Sequence, residues 1–161
     1  MSVPSNGKTN ALRLLESGAV DFTVYTYEVE DGLIDAKSMA RKIGRSQDEV
    51  FKTLVAESPA HEHFVFVIPA AGELDLKKAA RISAQKSIEL IPQKQLFPLT
   101  GYIHGGCSPV GMKKLFPTFI DETALIFDTI CVSGGRIGLT LCLNPETLCE
   151  FIHGSFADLT R

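Results

Sequence analysis

The rhythm of apolar and polar positions changes several times along this chain, and each rhythm predicts an element. Asp21 to Glu28 (DFTVYTYE) alternates apolar and polar residues and is rich in β-branched and aromatic types, which predicts a strand. Phe51 to Ala56 and Phe64 to Pro69 are short, nearly continuous apolar runs, as in buried strands. Further strands are predicted over Ser87 to Ile91, Thr118 to Asp121, Leu125 to Val132 and Ile137 to Leu143. Helical spacing runs from Lys8 to Glu16, with Leu12 and Leu15 on one face and Gly18 as the stop. Asp35 can cap a helix through Ile43, ended by Gly44. Ser46 to Glu49 reads as a capping box opening a short helix, and Asp75 caps the helix LKKAARIS. Pro92 starts another short helix, where its missing N–H costs nothing. Pro145 to Phe151 is the last full helix.

Helices interleaved with strands, several of the strands adjacent late in the chain, place the fold in the α/β or α+β class. The expected architecture is a mixed sheet, curled or barrel-like, with helices packed around it. At 161 residues, without a linker or repeat, the chain is expected to be one domain spanning 1–161. Hydrophobic residues at 45% and charged residues at 22% fit a globular protein and exclude disorder or a coiled coil. Apolar runs such as Phe64 to Ala71 are too short to span a bilayer, and the first residues lack the apolar core of a secretory signal. The expectation is a cytoplasmic protein with no membrane association.

A net charge of -3 argues against a DNA-coating protein, but the average hides an asymmetry. Between Ala71 and Lys114 there are seven lysines and arginines against three acidic residues, whereas Glu28, Glu30, Asp31 and Asp35 form an acidic stretch. Such a basic segment is either a face for a phosphate backbone or a pair of solvated lysine-rich helices. The four cysteines are scattered without a C-x-x-C, so no zinc or thioredoxin-like motif is suggested, and Cys131, Cys142 and Cys149 read as small core hydrophobes. His61 and His63 have no evident carboxylate or cysteine partner and read as solvated surface residues. No metal and no cofactor is expected.

Thr100 to Lys114 (TGYIHGGCSPVGMKK) stands apart, with Gly101, Gly105, Gly106 and Gly111 around Pro109. So dense a set of glycines implies left-handed turns or a close approach of backbone to a ligand, and free amides in such a loop can hold a carbonyl or phosphate. The order matches neither a P-loop nor a dinucleotide fingerprint. A second loop, Ser133-Gly134-Gly135-Arg136, is a hairpin signal that could also point Ser133 and its amides into the same pocket. Lys52, in VFKTLV, reads by pattern as a lysine on the solvent side of a strand; turned into a pocket it would be a fixed cation beside a reacting carbonyl. Cys107 is a tempting nucleophile, yet no Cys-His arrangement or G-x-S-x-G elbow accompanies it. Without a nucleophile-base pair, catalysis would rest on positioning and electrostatics.

FKTLV around Lys52, LDLKKAA (Leu74 to Ala80), TGYIHGGCSPVGMKK, FPTFID (Phe116 to Asp121) and VSGGRIGL (Val132 to Leu139) occur in an order that resembles the YbaK/EbsC family. Its members are bacterial Cys-tRNA(Pro) deacylases related to the editing insertion of prolyl-tRNA synthetase, and the likeness covers nearly the whole chain. It implies an editing enzyme that cleaves mischarged aminoacyl-tRNA, needed because a small apolar pocket rejects a near-isostere poorly. It further implies that Lys52 is the required lysine, holding the terminal adenosine or its phosphate. Gly105 and Pro109 match the family's G-x-x-x-P motif, whose backbone positions the aminoacyl carbonyl, while Tyr27 and Ser133 match its pocket-lining hydrogen-bonding groups. Gly101, Gly106, Ser108 and Gly134, from the same two loops, complete the expected substrate-binding set.

The resemblance also implies a substrate-assisted reaction in which the thiol of the attached cysteine attacks its own ester. That removes the need for an enzyme nucleophile and demotes Cys107. One departure stands out: some relatives are acidic in the strand after VSGG, where this chain has Thr140. A preference for alanine or another small amino acid, or a non-catalytic tRNA- or synthetase-binding module, are the alternatives. The implied partners are aminoacyl-tRNA as substrate and prolyl-tRNA synthetase as a candidate protein partner.

Overall fold

The computed structural model describes residues 7–33 and 35–161. Five α-helices and eight strands are formed by them: α1 (Asn10–Ser17), β1 (Thr23–Thr26), α2 (Ala36–Ile43), β2 (Phe51–Glu57), β3 (His63–Pro69), α3 (Leu76–Ile82), β4 (Glu89–Leu90), α4 (Leu96–Thr100), β5 (Thr118–Asp121), β6 (Ile130–Ser133), β7 (Leu139–Leu143), α5 (Pro145–Phe151) and β8 (Ser155–Ala157). The helix ends follow local chemistry. Thr9, Asp35, Asp75 and Asn144 each accept a backbone N–H of the first turn, and Gly44 ends α2 in the left-handed conformation.

The strands form an antiparallel sheet in the order β1-β7-β6 and a mixed sheet in the order β4-β2-β3-β5-β8. In the latter, β2 pairs antiparallel with β3 and β4, while β3–β5 and β5–β8 are parallel. A bridge between Val50 and Cys131 ties the start of β2 to β6, so the two sheets meet along a seam there. The mixed sheet with helices around it expected from the sequence is therefore present, divided into two joined sheets.

Burial explains the patterns. Phe64, Phe66 and Ile68 of β3 pack towards α3 through Ala79 and Ala80, whereas Val67 joins the main core with α1 and α5. Covered on both faces, β3 has no reason to alternate apolar with polar. In β7, Leu139, Leu141 and Leu143 face the main core, while Thr140 and Cys142 face the opposite way, towards α2.

Several expectations are corrected. The strand expected over Leu125 to Val132 begins only at Ile130, because Asp121 accepts the Thr123 N–H and starts a 3-10 turn over Glu122–Ile126. Its Leu125 and Ile126 are exposed at 47% and 76%, so no sheet face buries them. The Ser87 to Ile91 strand shrinks to two residues. In place of a reciprocal capping box, Glu49 pairs with Arg45. Cys131 and Cys142 are buried as expected but also face each other across β6 and β7 and form a disulfide. His61 and His63 do have a carboxylate: Glu57, across the hairpin, meets His61 at 2.6 Å and His63 at 3.0 Å. No helix among the described residues is long and apolar enough to cross a membrane.

Candidate active site

A cleft of about 230 Å³ opens at the seam between the two sheets. The strand geometry sets its walls. Thr140 sits opposite Tyr25 on one side and Ser133 on the other, so the alternation of β7 that buries Leu139 and Leu141 turns Thr140, Ser133 and the end of β1 towards the cleft. Tyr27, just past β1, lines it too, held by its N–H to the Gly138 carbonyl at 3.0 Å. Ala36 and Met39 of α2 close one flank, and the Thr140 hydroxyl donates to the Met39 thioether.

The first turn of β2 crosses the opening, and every residue from Val50 to Leu54 borders it. This is why the pattern misplaced Lys52. An alternating strand has an inner and an outer face, but at the seam both faces of β2 border the cleft. Lys52 is half-buried, and its ammonium has no ion-pair or hydrogen-bond partner among the described residues. The hydroxyl of its neighbour Thr53 is buried without a partner as well. A buried hydroxyl left unpaired is costly, and such groups in a cleft are those a ligand would satisfy. Thr53 was not singled out by sequence; the signal available was a polar residue inside an apolar strand.

The Gly-rich loop forms the remaining wall through His104, Gly105 and Cys107. Gly105 is exposed, in the left-handed region at φ 85°, and its N–H has no acceptor among the described residues. Cys107 is buried against Val55, Leu96 and Tyr102, and that burial pushes its thiol up to about 12. At neutral pH it is protonated and a poor nucleophile. The Ser133 hydroxyl accepts from the Gly135 N–H at 3.2 Å, and no imidazole bonds it among the described residues. Among the described residues no carboxylate lines the cleft, and Lys52 brings an ammonium to it.

Four of the nine expected site residues thus come together: Tyr27, Lys52, Gly105 and Ser133. The other five shape the walls from behind. Gly101 ends α4 against the Lys113 side chain, and Gly106 packs on the backbone of Arg136, binding the two loops together. Ser108 is fully buried and accepts the Val110 N–H, and Pro109 lies in a separate depression with Leu14 and Met112. Gly134 packs on Leu139 and its carbonyl accepts the Thr9 hydroxyl. The basic segment also divides, since Lys78 is tied to Asp158 at 2.9 Å and to the Thr160 carbonyl. No group of three or more His, Cys, Asp or Glu among the described residues could hold a metal ion.

Known proteins resemble this chain in sequence and in fold. The sequence model of the aminoacyl-tRNA editing domain matches residues 31–151. A protein of Enterococcus faecalis named "Putative Cys-tRNA(Pro)/Cys-tRNA(Cys) deacylase EbsC" is 41% identical over 153 residues, which is 95% of this chain and 93% of that protein. Among solved structures, "a putative trans-editing enzyme for prolyl tRNA synthetase" superposes with a TM-score of 0.86 at 23% identity, covering 99% of both chains. A hypothetical protein superposes with a TM-score of 0.87 at 21% identity over 95% of this chain and 100% of its own. At those identities the structures speak for the fold.

Proposed function

The chain belongs to the aminoacyl-tRNA editing domain family, and from that premise we propose that it is a cytoplasmic deacylase of mischarged aminoacyl-tRNA, with Cys-tRNA(Pro) as its substrate. The observation that carries the reading is the sharing of one cleft by an unpaired Lys52 ammonium and an unpaired Gly105 N–H. A cation and an amide donor, both without partners among the described residues, are what a developing oxyanion requires. Small and aliphatic walls (Ala36, Val50, Ala70) suit a small aminoacyl group, and Lys52 serves the ester itself rather than the adenosine phosphate that the resemblance implies.

The nucleophile comes from the substrate. The cysteinyl thiol loses its proton and its sulfur bonds to the ester carbonyl carbon. The carbon–oxygen bond to the ribose then breaks, and the ribose oxygen leaves with the electron pair and takes up a proton. Water later opens the thiolactone to cysteine. Gly105 and Lys52 stabilise the oxyanion, and removing one such group typically costs about 10²–10³ in kcat. The protonated Cys107 and a Ser133 hydroxyl bonded to a backbone N–H rather than to a base fit a protein that supplies no nucleophile of its own.

A second reading, deacylation of alanyl or another small aminoacyl-tRNA, is favoured by Thr140, which puts an uncharged side chain in the cleft wall where some relatives are acidic. There water would be the nucleophile. Deacylation of Cys-, Ala- and Pro-tRNA(Pro) and of Cys-tRNA(Cys) by native protein and by Lys52→Ala decides between them. Cleavage of cysteinyl esters alone, abolished in Lys52→Ala, is expected; preferential cleavage of Ala-tRNA(Pro) favours the second reading. No cleavage of any ester, or full activity in Lys52→Ala, sinks both. Prolyl-tRNA synthetase is the candidate protein partner, tested by co-elution on gel filtration.

A further inference from the structure

Beside the cleft lies a second surface that the deacylase reading leaves unused. Phe97 of α4 is 54% exposed and Ile103 is 52% exposed. With Gln93, Lys94 and His104 they line a shallow depression, and His104 also lines the cleft, so the two adjoin at that residue. The Lys113 ammonium stands 5.1 Å from the centroid of the Phe97 ring. Neither Lys94 nor Lys113 has an ion-pair partner among the described residues.

Charge decides what this surface can take. From Leu90 to Ile120 the chain has three lysines and no Asp or Glu. An exposed aromatic ring flanked by ammonium groups that have no ion-pair partner among the described residues, with no carboxylate in the whole segment, fits a polyanion that also presents flat apolar faces. Single-stranded nucleic acid is that ligand: its bases stack on aromatic rings while lysines follow its phosphates. In a duplex the bases are already stacked on each other and cannot lie on Phe97. A protein partner with an apolar patch would not select for the missing acids.

We propose that the depression around Phe97 is a stacking subsite for the unpaired nucleotides preceding the esterified adenosine of the tRNA, with Lys94 and Lys113 as phosphate partners. The proposal rests on the deacylase reading for its ligand: once the terminal adenosine is in the cleft, the preceding nucleotides leave by its rim, and His104 marks the rim shared with the depression. The ring acts as the platform. Lys113 holds one side of it and leaves the remainder open to a base.

The test uses fluorescein-labelled RNA hairpins, either blunt or carrying an unpaired 3′ extension, and reads affinity by anisotropy. Native protein is expected to prefer the extended hairpin. Phe97→Ala should lose about tenfold of that preference, as base–aromatic stacking implies, and Phe97→Tyr should restore it. Joint replacement of Lys94 and Lys113 by Ala should flatten the dependence of log affinity on log salt by about 0.7 for each phosphate that is no longer neutralised. Equal binding of blunt and extended hairpins by native protein overturns the proposal. So does unchanged preference in Phe97→Ala, or an equal loss on both hairpins, which would signal a general disturbance. Because the readout is binding, it stands apart from the deacylation assay: a protein that cleaves no ester can still pass or fail here.

Discussion

Gly106 and Arg136 pack backbone against backbone: a Cβ on Gly106 would lie 2.8 Å from the Arg136 Cα and 2.9 Å from its carbonyl carbon. The neighbour is main chain and cannot swing aside. Gly106→Ala is therefore expected to destabilise the protein by about 1–3 kcal/mol, the usual cost of overpacking, and to part the two loops that carry Gly105 and Ser133. Denaturant titration together with deacylation kinetics measures both effects. A variant with an unshifted midpoint and full activity would show that the two loops do not depend on each other.

Thr53 separates binding from folding. Its hydroxyl is buried without a partner, so Thr53→Val removes an unsatisfied group while nearly keeping the volume. Thermal stability of the free protein should stay level or rise, by up to about 1 kcal/mol. If the hydroxyl is satisfied by substrate, kcat/KM should fall about tenfold, the scale of one hydrogen bond removed. Falling stability with unchanged kinetics would mean that the hydroxyl serves the fold.

Cys107 should prove inert although it borders the cleft. With its thiol raised to about 12 by burial, alkylation by iodoacetamide at neutral pH should be slow in the native protein and fast after unfolding. Cys107→Ala should keep most of the deacylase activity, with some loss of stability from the small cavity left. Loss of all activity in a variant that still folds would point to covalent catalysis.

Glu57 gives a pH dependence. Hydrogen bonds from His61, first, and His63 hold its carboxyl below the usual 4.5, against an opposing contribution from burial. A carboxyl depressed in the folded state adds stability that is whole above its unfolded value and is lost as pH falls through the folded value. The melting temperature of the native protein should therefore fall more steeply than that of Glu57→Gln between about pH 5 and about pH 3. Parallel curves would show that the two imidazoles contribute nothing to this hairpin.

Local chemistry was legible in the sequence where it acts locally. Asp35 and Gly44 bound α2, and Pro145 opens α5, because caps and stops depend on neighbours a few residues away. Strand β8 was missed, since three residues paired to distant Phe119, Ile120 and Asp121 carry almost no periodic signal. The pairing of Cys131 with Cys142 needed the register of β6 on β7, which spacing does not supply. For Lys52 the pattern pointed outwards, and only the family resemblance raised it; the structure adds that the seam leaves no solvent side at that point of β2. The density of glycines singled out both loops, but neither it nor the resemblance told that Gly106 and Gly134 serve as packing points while Gly105 meets the cleft.

The pairing of β1 with β7 sets Tyr25 opposite Thr140 and reaches across most of the chain. A ribosome delivers the first of these strands long before the second, so the wall formed by Tyr27, Ser133 and Thr140 cannot close until β7 has emerged. Nascent chains halted before Leu139 would leave β1 without its partner and have no cleft in which an ester could be held. The protein thus gains its chemistry in one step, when the strand that joins β1 to β6 is delivered.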